Sequence, residues 1–317
     1  MWILLGVTVL LLVAMVIAVL RLVDQSDLHV AEVRKVKIKL NDAQFRAKTS
    51  EADEVIERDI RRDPHRTEAV YAHWEMSRGA MKLIGTMENL QKLDLTDATI
   101  KDSWLRYLEK LPLQTIDLAG STISDAGTKH LAKIPTLRNL KVYDTAVSGK
   151  SIAILAPLKD LRMLQINGTK TTDEDILGLT AFPQLEDLDL SGTFITEESS
   201  KTFMNMDKLQ SLELNHLAQT KASLERLKQM KSLRKLSLVG CDIDDEKAVI
   251  LSQFPHVVFL SLGENPLTDK GLLALARLPL QGLKLADCKR ITPAGVEKFR
   301  KANPACSLSL DRRKIAL

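Results

Sequence analysis

Apolar residues along this chain follow a compound rhythm rather than a single period. In Leu113–Pro135, Leu113, Ile116 and Leu118 are spaced apolar-x-x-apolar-x-apolar. A short strand over 115–119 puts Ile116 and Leu118 on one face and Thr115, Asp117 and Ala119 on the other. The period then changes. Ser124-Asp125 supplies a helix start, with a hydroxyl to cap orphan N–H groups and a carboxylate in the first turn. Leu131 and Ile134 continue at helical spacing, and Pro135 closes the unit.

The unit recurs. Its first apolar position falls at Leu90, Leu113, Leu137, Leu161, Leu185, Leu209, Leu233, Val257, Leu280 and Ala305, at intervals of 23 to 25 residues. Positions four and six of every unit, from Leu93 and Leu95 to Leu308 and Leu310, are apolar. One unit cannot bury these faces alone, and stacking buries them as one continuous core. The prediction is an α/β solenoid of about ten 24-residue repeats, with a parallel sheet on the concave side and short helices on the convex side. The sixth unit departs from the pattern at Asn215-His-Leu-Ala-Gln-Thr220, which predicts an irregular loop there.

The second half of the unit carries a motif: Ile123-Ser-Asp-Ala-Gly127, Leu267-Thr-Asp-Lys-Gly271 and Ile291-Thr-Pro-Ala-Gly295. With the leading L-x-x-L-x-L it resembles the leucine-rich repeats of bacterial, planctomycete-type, membrane-anchored proteins. Cys288-Lys-Arg-Ile-Thr-Pro-Ala-Gly295 also resembles the repeats of eukaryotic F-box proteins. The resemblance implies a fold and not a function, because the motif residues are structural.

Ahead of the repeats, Trp2–Leu20 is nineteen residues without a charge. As a helix it spans about 29 Å, close to the hydrocarbon core of a bilayer. The chain therefore divides into a transmembrane anchor at 1–23, a charged juxtamembrane linker at 24–49, a helical N-terminal cap at 50–88 and a leucine-rich repeat domain at 89–317. The cap is expected to hold helices over 50–62 and 66–84, the second turning Val70, Trp74, Met81 and Ile84 inward. Arg21, Arg34, Lys35, Lys37 and Lys39 follow the span and no Lys or Arg precedes it, which favours the body on the cytoplasmic side. The bacterial resemblance implies export instead. Asp311-Arg-Arg-Lys314 places charges where they shield the last sheet edge.

Charge adds an exclusion. The net charge is +4 with both signs mixed, and only 4% of residues are aromatic, so no basic, aromatic-interleaved stripe suggests nucleic acid. Cys241 and Cys288 occupy position nine, where Thr145, Thr169, Thr193 and Asn265 sit in other repeats. They read as buried thiols that bond loop backbone. Two strand spacings separate them, about 10 Å, which is beyond disulfide reach. No P-loop, G-x-S-x-G, H-E-x-x-H or Cys-x-x-Cys occurs, and the six histidines lack ligand spacing. No catalytic residue, cofactor or metal site is assigned.

Positions three, five and seven line the concave face. Asp187, Asp189 and Glu213 converge at its middle, with Tyr143, Met163 and Gln165 to one side and Val239 and Phe259 to the other. Apolar anchors beside charges that set register form a surface for a protein partner. The reading is a membrane-tethered, non-enzymatic interaction module. Its alternatives are a recognition subunit of a larger enzyme complex, as in F-box ligases, or a hydrolase built on the three carboxylates.

Overall fold

The computed structural model describes residues 69–71 and 75–310. The chain divides into two units, Met1–Lys35 and Val36–Leu317, and every described residue lies in the second. The Trp2–Leu20 anchor, the linker, the 50–62 helix, Trp74 and the Asp311-Arg-Arg-Lys314 edge lie outside the described residues. Among the described residues no helix is long and apolar enough to cross a membrane.

Eleven three-residue strands form one parallel sheet in chain order: β1 Ala69–Tyr71, β2 Lys92–Asp94, β3 Thr115–Asp117, β4 Asn139–Lys141, β5 Met163–Gln165, β6 Asp187–Asp189, β7 Ser211–Glu213, β8 Lys235–Ser237, β9 Phe259–Ser261, β10 Gly282–Lys284 and β11 Ser307–Ser309. The register follows the sequence columns. Asp187 pairs with Met163 and Ser211, and Asp189 pairs with Gln165 and Glu213.

The column at positions four and six is buried from Leu93 to Leu285. It fails only at the last repeat, where Leu308 is partly buried and Leu310 is 46% exposed. No later described repeat covers that pair. Ala305 is exposed as well, and Cys306 takes its place in the core. Behind the sheet, short helical segments close the core from the other side, among them Asp125–Leu131, Lys221–Leu227, Asp245–Leu251, Asp269–Leu275 and Pro293–Ala302.

Each strand from β2 to β10 exits through a left-handed turn. Asp97, Gly120, Asp144, Gly168, Gly192, His216, Gly240, Glu264 and Asp287 all have φ between 54° and 68°. The turned amide reaches the next repeat: Gly120 N donates to Tyr143 O and His216 N to Val239 O. The expected irregularity at Asn215–Thr220 is absent at this point, because His216 adopts the same left-handed conformation as the glycines. Leu217 and Gln219 are buried there, with Gln219 Nε2 donating to Leu217 O.

Position nine behaves as expected. Cys241 Sγ donates to Leu214 O and Cys288 Sγ to Leu262 O, and both thiols are free and buried. Burial pushes the Cys241 thiol up to about 11, so it stays protonated at neutral pH. Asn265 does the same work with more bonds, accepting from Cys241 N and Ile243 N and donating to Leu238 O and Leu262 O.

One expected element is corrected. The span 66–84 is not a continuous helix. Ala69–Tyr71 is strand β1, paired in parallel with β2, and the helix is confined to Arg78–Ile84. Val70 pairs with Leu93 and extends the buried column by one repeat. The open edge of β2 presents backbone N–H and C=O groups that need partners, and an adjacent strand satisfies them where a helix cannot. Ser77 then starts the helix by accepting from Ala80 N.

Candidate protein-binding face

The residues that face away from the core on the sheet form one contiguous surface. At its centre Asp187 and Asp189 sit on β6 beside Glu213 on β7, with Met163 and Gln165 next to them on β5. Asp189 is more enclosed than an outward position implies, at 9% exposure. Its Oδ1 accepts from Ser191 N at 2.9 Å. Glu213 Oε2 accepts from Asn215 Nδ2 at 3.3 Å. Oδ1 of Asp187 is buried without a hydrogen-bond partner.

All three carboxyls are pushed above their usual range. Burial is the main cause for each. For Asp187 the Asp189 charge adds to it, and for Glu213 both Asp189 and Asp187 add. No ion pair reaches any of the three among the described residues. Asp117, two strands away from β5 on the same face, is by contrast 3.0 Å from Lys141 Nζ. The centre of the face is thus a desolvated negative site without an ion pair, offset only at longer range by Lys235, Lys141 and Lys284. No group of three His, Cys, Asp or Glu among the described residues is placed to hold a metal ion.

Toward the C-terminal strands the surface sinks into a groove of about 280 Å³, lined among others by Asp187, Glu213, Lys235, Phe259, Gly282 and Ser307. Of the eight residues singled out from the sequence, the groove gathers Asp187, Glu213 and Phe259. Met163, Gln165 and Asp189 adjoin it through the sheet register, whereas Tyr143 and Val239 do not line it. Tyr143 lies on the N-terminal side, its hydroxyl pushed up by burial and by the Asp117 charge. Val239 donates its amide to Asn215 Oδ1 at the strand exit.

Lys235 and Gly282 are groove residues that the sequence reading did not select. The Lys235 ammonium stands 5.6 Å from the Phe259 ring centroid. A signal for them was present: Ser237, Ser261, Gly282 and Ser307 are a run of small outward residues flanking one large ring.

A stacked parallel sheet of this register, closed behind by short helices, defines a leucine-rich repeat protein. Family models for leucine-rich repeats match residues 183–243 and 255–276. No curated protein matches the chain. Among solved structures, a chain of the yeast Rad7 and Elc1 complex is 18% identical, the match covering 76% of this chain and 69% of that one, and superposes with a TM-score of 0.58. A leucine-rich repeat protein of Leptospira interrogans is 21% identical over 72% of this chain and 62% of its own, with a TM-score of 0.49. An internalin from Listeria monocytogenes is 18% identical over 74% and 71%, with a TM-score of 0.48. These likenesses describe the fold.

Proposed function

We propose that this chain is a membrane-tethered, non-catalytic interaction protein that holds another protein against its strand face. Leucine-rich repeat proteins generally mediate protein–protein interaction. The observation that carries the reading is the negative centre of the sheet, desolvated and without an ion pair, flanked by Met163 and Phe259. Burying unpaired carboxylates costs folding free energy. A partner that supplies the opposite charge recovers that cost on binding.

Proximity labelling with the full chain tests it. Neighbours of the wild type should be lost with Met163→Glu/Phe259→Glu and kept with Val249→Glu, which alters an exposed residue of the helix Asp245–Leu251. The reverse pattern would place binding on the helical side.

The tether belongs to the same proposal and rests on the uncharged run Trp2–Leu20. The Lys and Arg residues after that run support a body on the cytoplasmic side, whereas the resemblance to bacterial anchored repeats supports export. Protease added to intact cells decides between them. A cytoplasmic body survives while a surface control is digested, and cleavage of the repeats reverses the orientation.

A further inference from the structure

The groove beside the acidic centre has a specific construction. Ser237, Ser261, Gly282 and Ser307 leave its base low, and Phe259 lies down across Gly282. A Cβ at residue 282 would fall 2.9 Å from Phe259 Cδ1, so the glycine is what lets the ring lie flat. Asp187 and Glu213 form the opposite end. Lys235 forms no ion pair with them: its ammonium stands over the ring and acts on Asp187 only through space.

The groove thus has an apolar floor at one end, two carboxylates without an ion pair at the other and a buried, partnerless Oδ1 on Asp187. We propose that it takes an extended segment of the partner protein, one that brings an arginine side chain in beside Asp187 and Glu213 and lays an apolar side chain on Phe259. This inference rests on the strand-face reading above. A guanidinium is the matching group because its planar fork of five donors can serve two carboxylates at once. Spacing sets the motif. Glu213 and Phe259 are on β7 and β9, two strand spacings or about 10 Å apart. An extended segment rises about 3.3 Å per residue, so the arginine and the apolar anchor lie two to three positions apart.

The test uses two dye-labelled, end-blocked peptides, Gly-Arg-Ala-Phe-Gly and Gly-Arg-Ala-Ala-Phe-Gly, and twins in which citrulline replaces arginine. Citrulline keeps the shape and removes the charge. Fluorescence anisotropy is read on the full chain in detergent micelles. At least one arginine peptide should bind tenfold or more tighter than its twin. Asp187→Asn/Glu213→Gln should erase that preference, and Phe259→Ala should weaken arginine and citrulline forms alike. Equal binding of each pair, a preference that survives the double variant, or binding by none of the peptides would overturn the proposal. So would self-association of the chain that disappears in Asp187→Asn/Glu213→Gln, since a second copy would then be the occupant. If the double variant loses its circular dichroism signal, the arginine–citrulline comparison on the wild type decides alone. Proximity-labelled neighbours lost with Met163→Glu/Phe259→Glu yet unaffected by Asp187→Asn/Glu213→Gln would remove this inference and leave the strand-face reading standing.

Discussion

Asp245 caps a helix that is not its own. Its Oδ1 accepts from Thr268 N at 2.9 Å and its Oδ2 from Thr268 Oγ1 at 2.5 Å, one repeat further along the chain. The arrangement recurs wherever an aspartate follows the N-cap position. Asp102 holds Ser124, Asp125 holds Ser148, Asp173 holds Thr196 and Asp269 holds Thr292. Where that position is Gly149, Glu197 or Lys221, the next helix caps itself, with Asp175 on Thr172, Ser223 on Thr220 and Asp244 on Lys247 N. Two polar groups at each of these five helix starts are thus satisfied by a neighbouring repeat, which couples those repeats across the helical side as the sheet couples them on the other.

The glycine three residues after the capped Thr268 belongs to the same device. Gly271 N donates to Asp245 Oδ1 at 3.0 Å, and a Cβ there would fall 2.5 Å from that oxygen. Gly271→Ala is expected to destabilise the chain by about 1–3 kcal/mol through overpacking. Asp245→Ala removes the cap and the clash with that oxygen, and leaves Leu267 Cδ1, which the same Cβ would meet at 2.5 Å. Denaturant midpoints of the two single variants and the double should therefore be strongly non-additive. Additive losses would mean that the two residues act independently.

Register is tested by neighbours of opposite facing. Leu188→Asp sets an unpaired carboxylate in the buried column and should cost about 3–5 kcal/mol. Asp189→Leu gives up its bonds from Ser191 but removes a desolvated charge, and should change stability by less than about 1 kcal/mol. Chemical denaturation ranks the two, and a reversed order would shift every outward column by one residue.

The capping aspartates predict acid sensitivity. Burial opposes ionisation of Asp125, but bonds from Ser148 and Ser151 outweigh it and hold the carboxyl below its usual value. Thr268 and Gly271 do the same for Asp245. A carboxyl lowered on folding contributes stability that is complete above the unfolded value of about 3.9 and is lost as pH falls through the folded value. The thermal midpoint should drop below about pH 4, and Asp245→Asn should flatten that drop by lowering the midpoint at neutral pH. An unchanged acid limb in Asp245→Asn would remove the cap from the account of acid stability.

The binding-face carboxyls predict the opposite sign. Asp187 is raised on folding, chiefly by burial and then by Asp189, so its ionised form costs stability at neutral pH and that cost vanishes once the group is protonated in both states. Asp187→Asn should raise the melting midpoint at pH 7, and the gain should shrink toward zero below about pH 4. A lower midpoint at pH 7 would show that the carboxylate is paired in the folded chain.

The repeat period, the buried column and the outward columns were legible along the chain because strand alternation and a fixed 24-residue step are local regularities. The thiol positions were legible for the same reason: Cys241 and Cys288 stand where Thr169 and Asn265 stand. Val70 was misassigned although it lies one repeat before Leu93. Its spacing to Met81 and Ile84 also suits a helix, and only the open edge of β2 decides for a strand. The aspartates were read as first-turn charges on their own helices, since local capping rules do not see a partner one repeat away. Phe259 lying over Gly282, and the carboxylates of Asp187 and Glu213 left without an ion pair, are relations between side chains on different strands. Sequence determined which residues point outward. Tertiary packing decided which of them meet, because rotamers and desolvation are set by neighbours that stacking brings within contact.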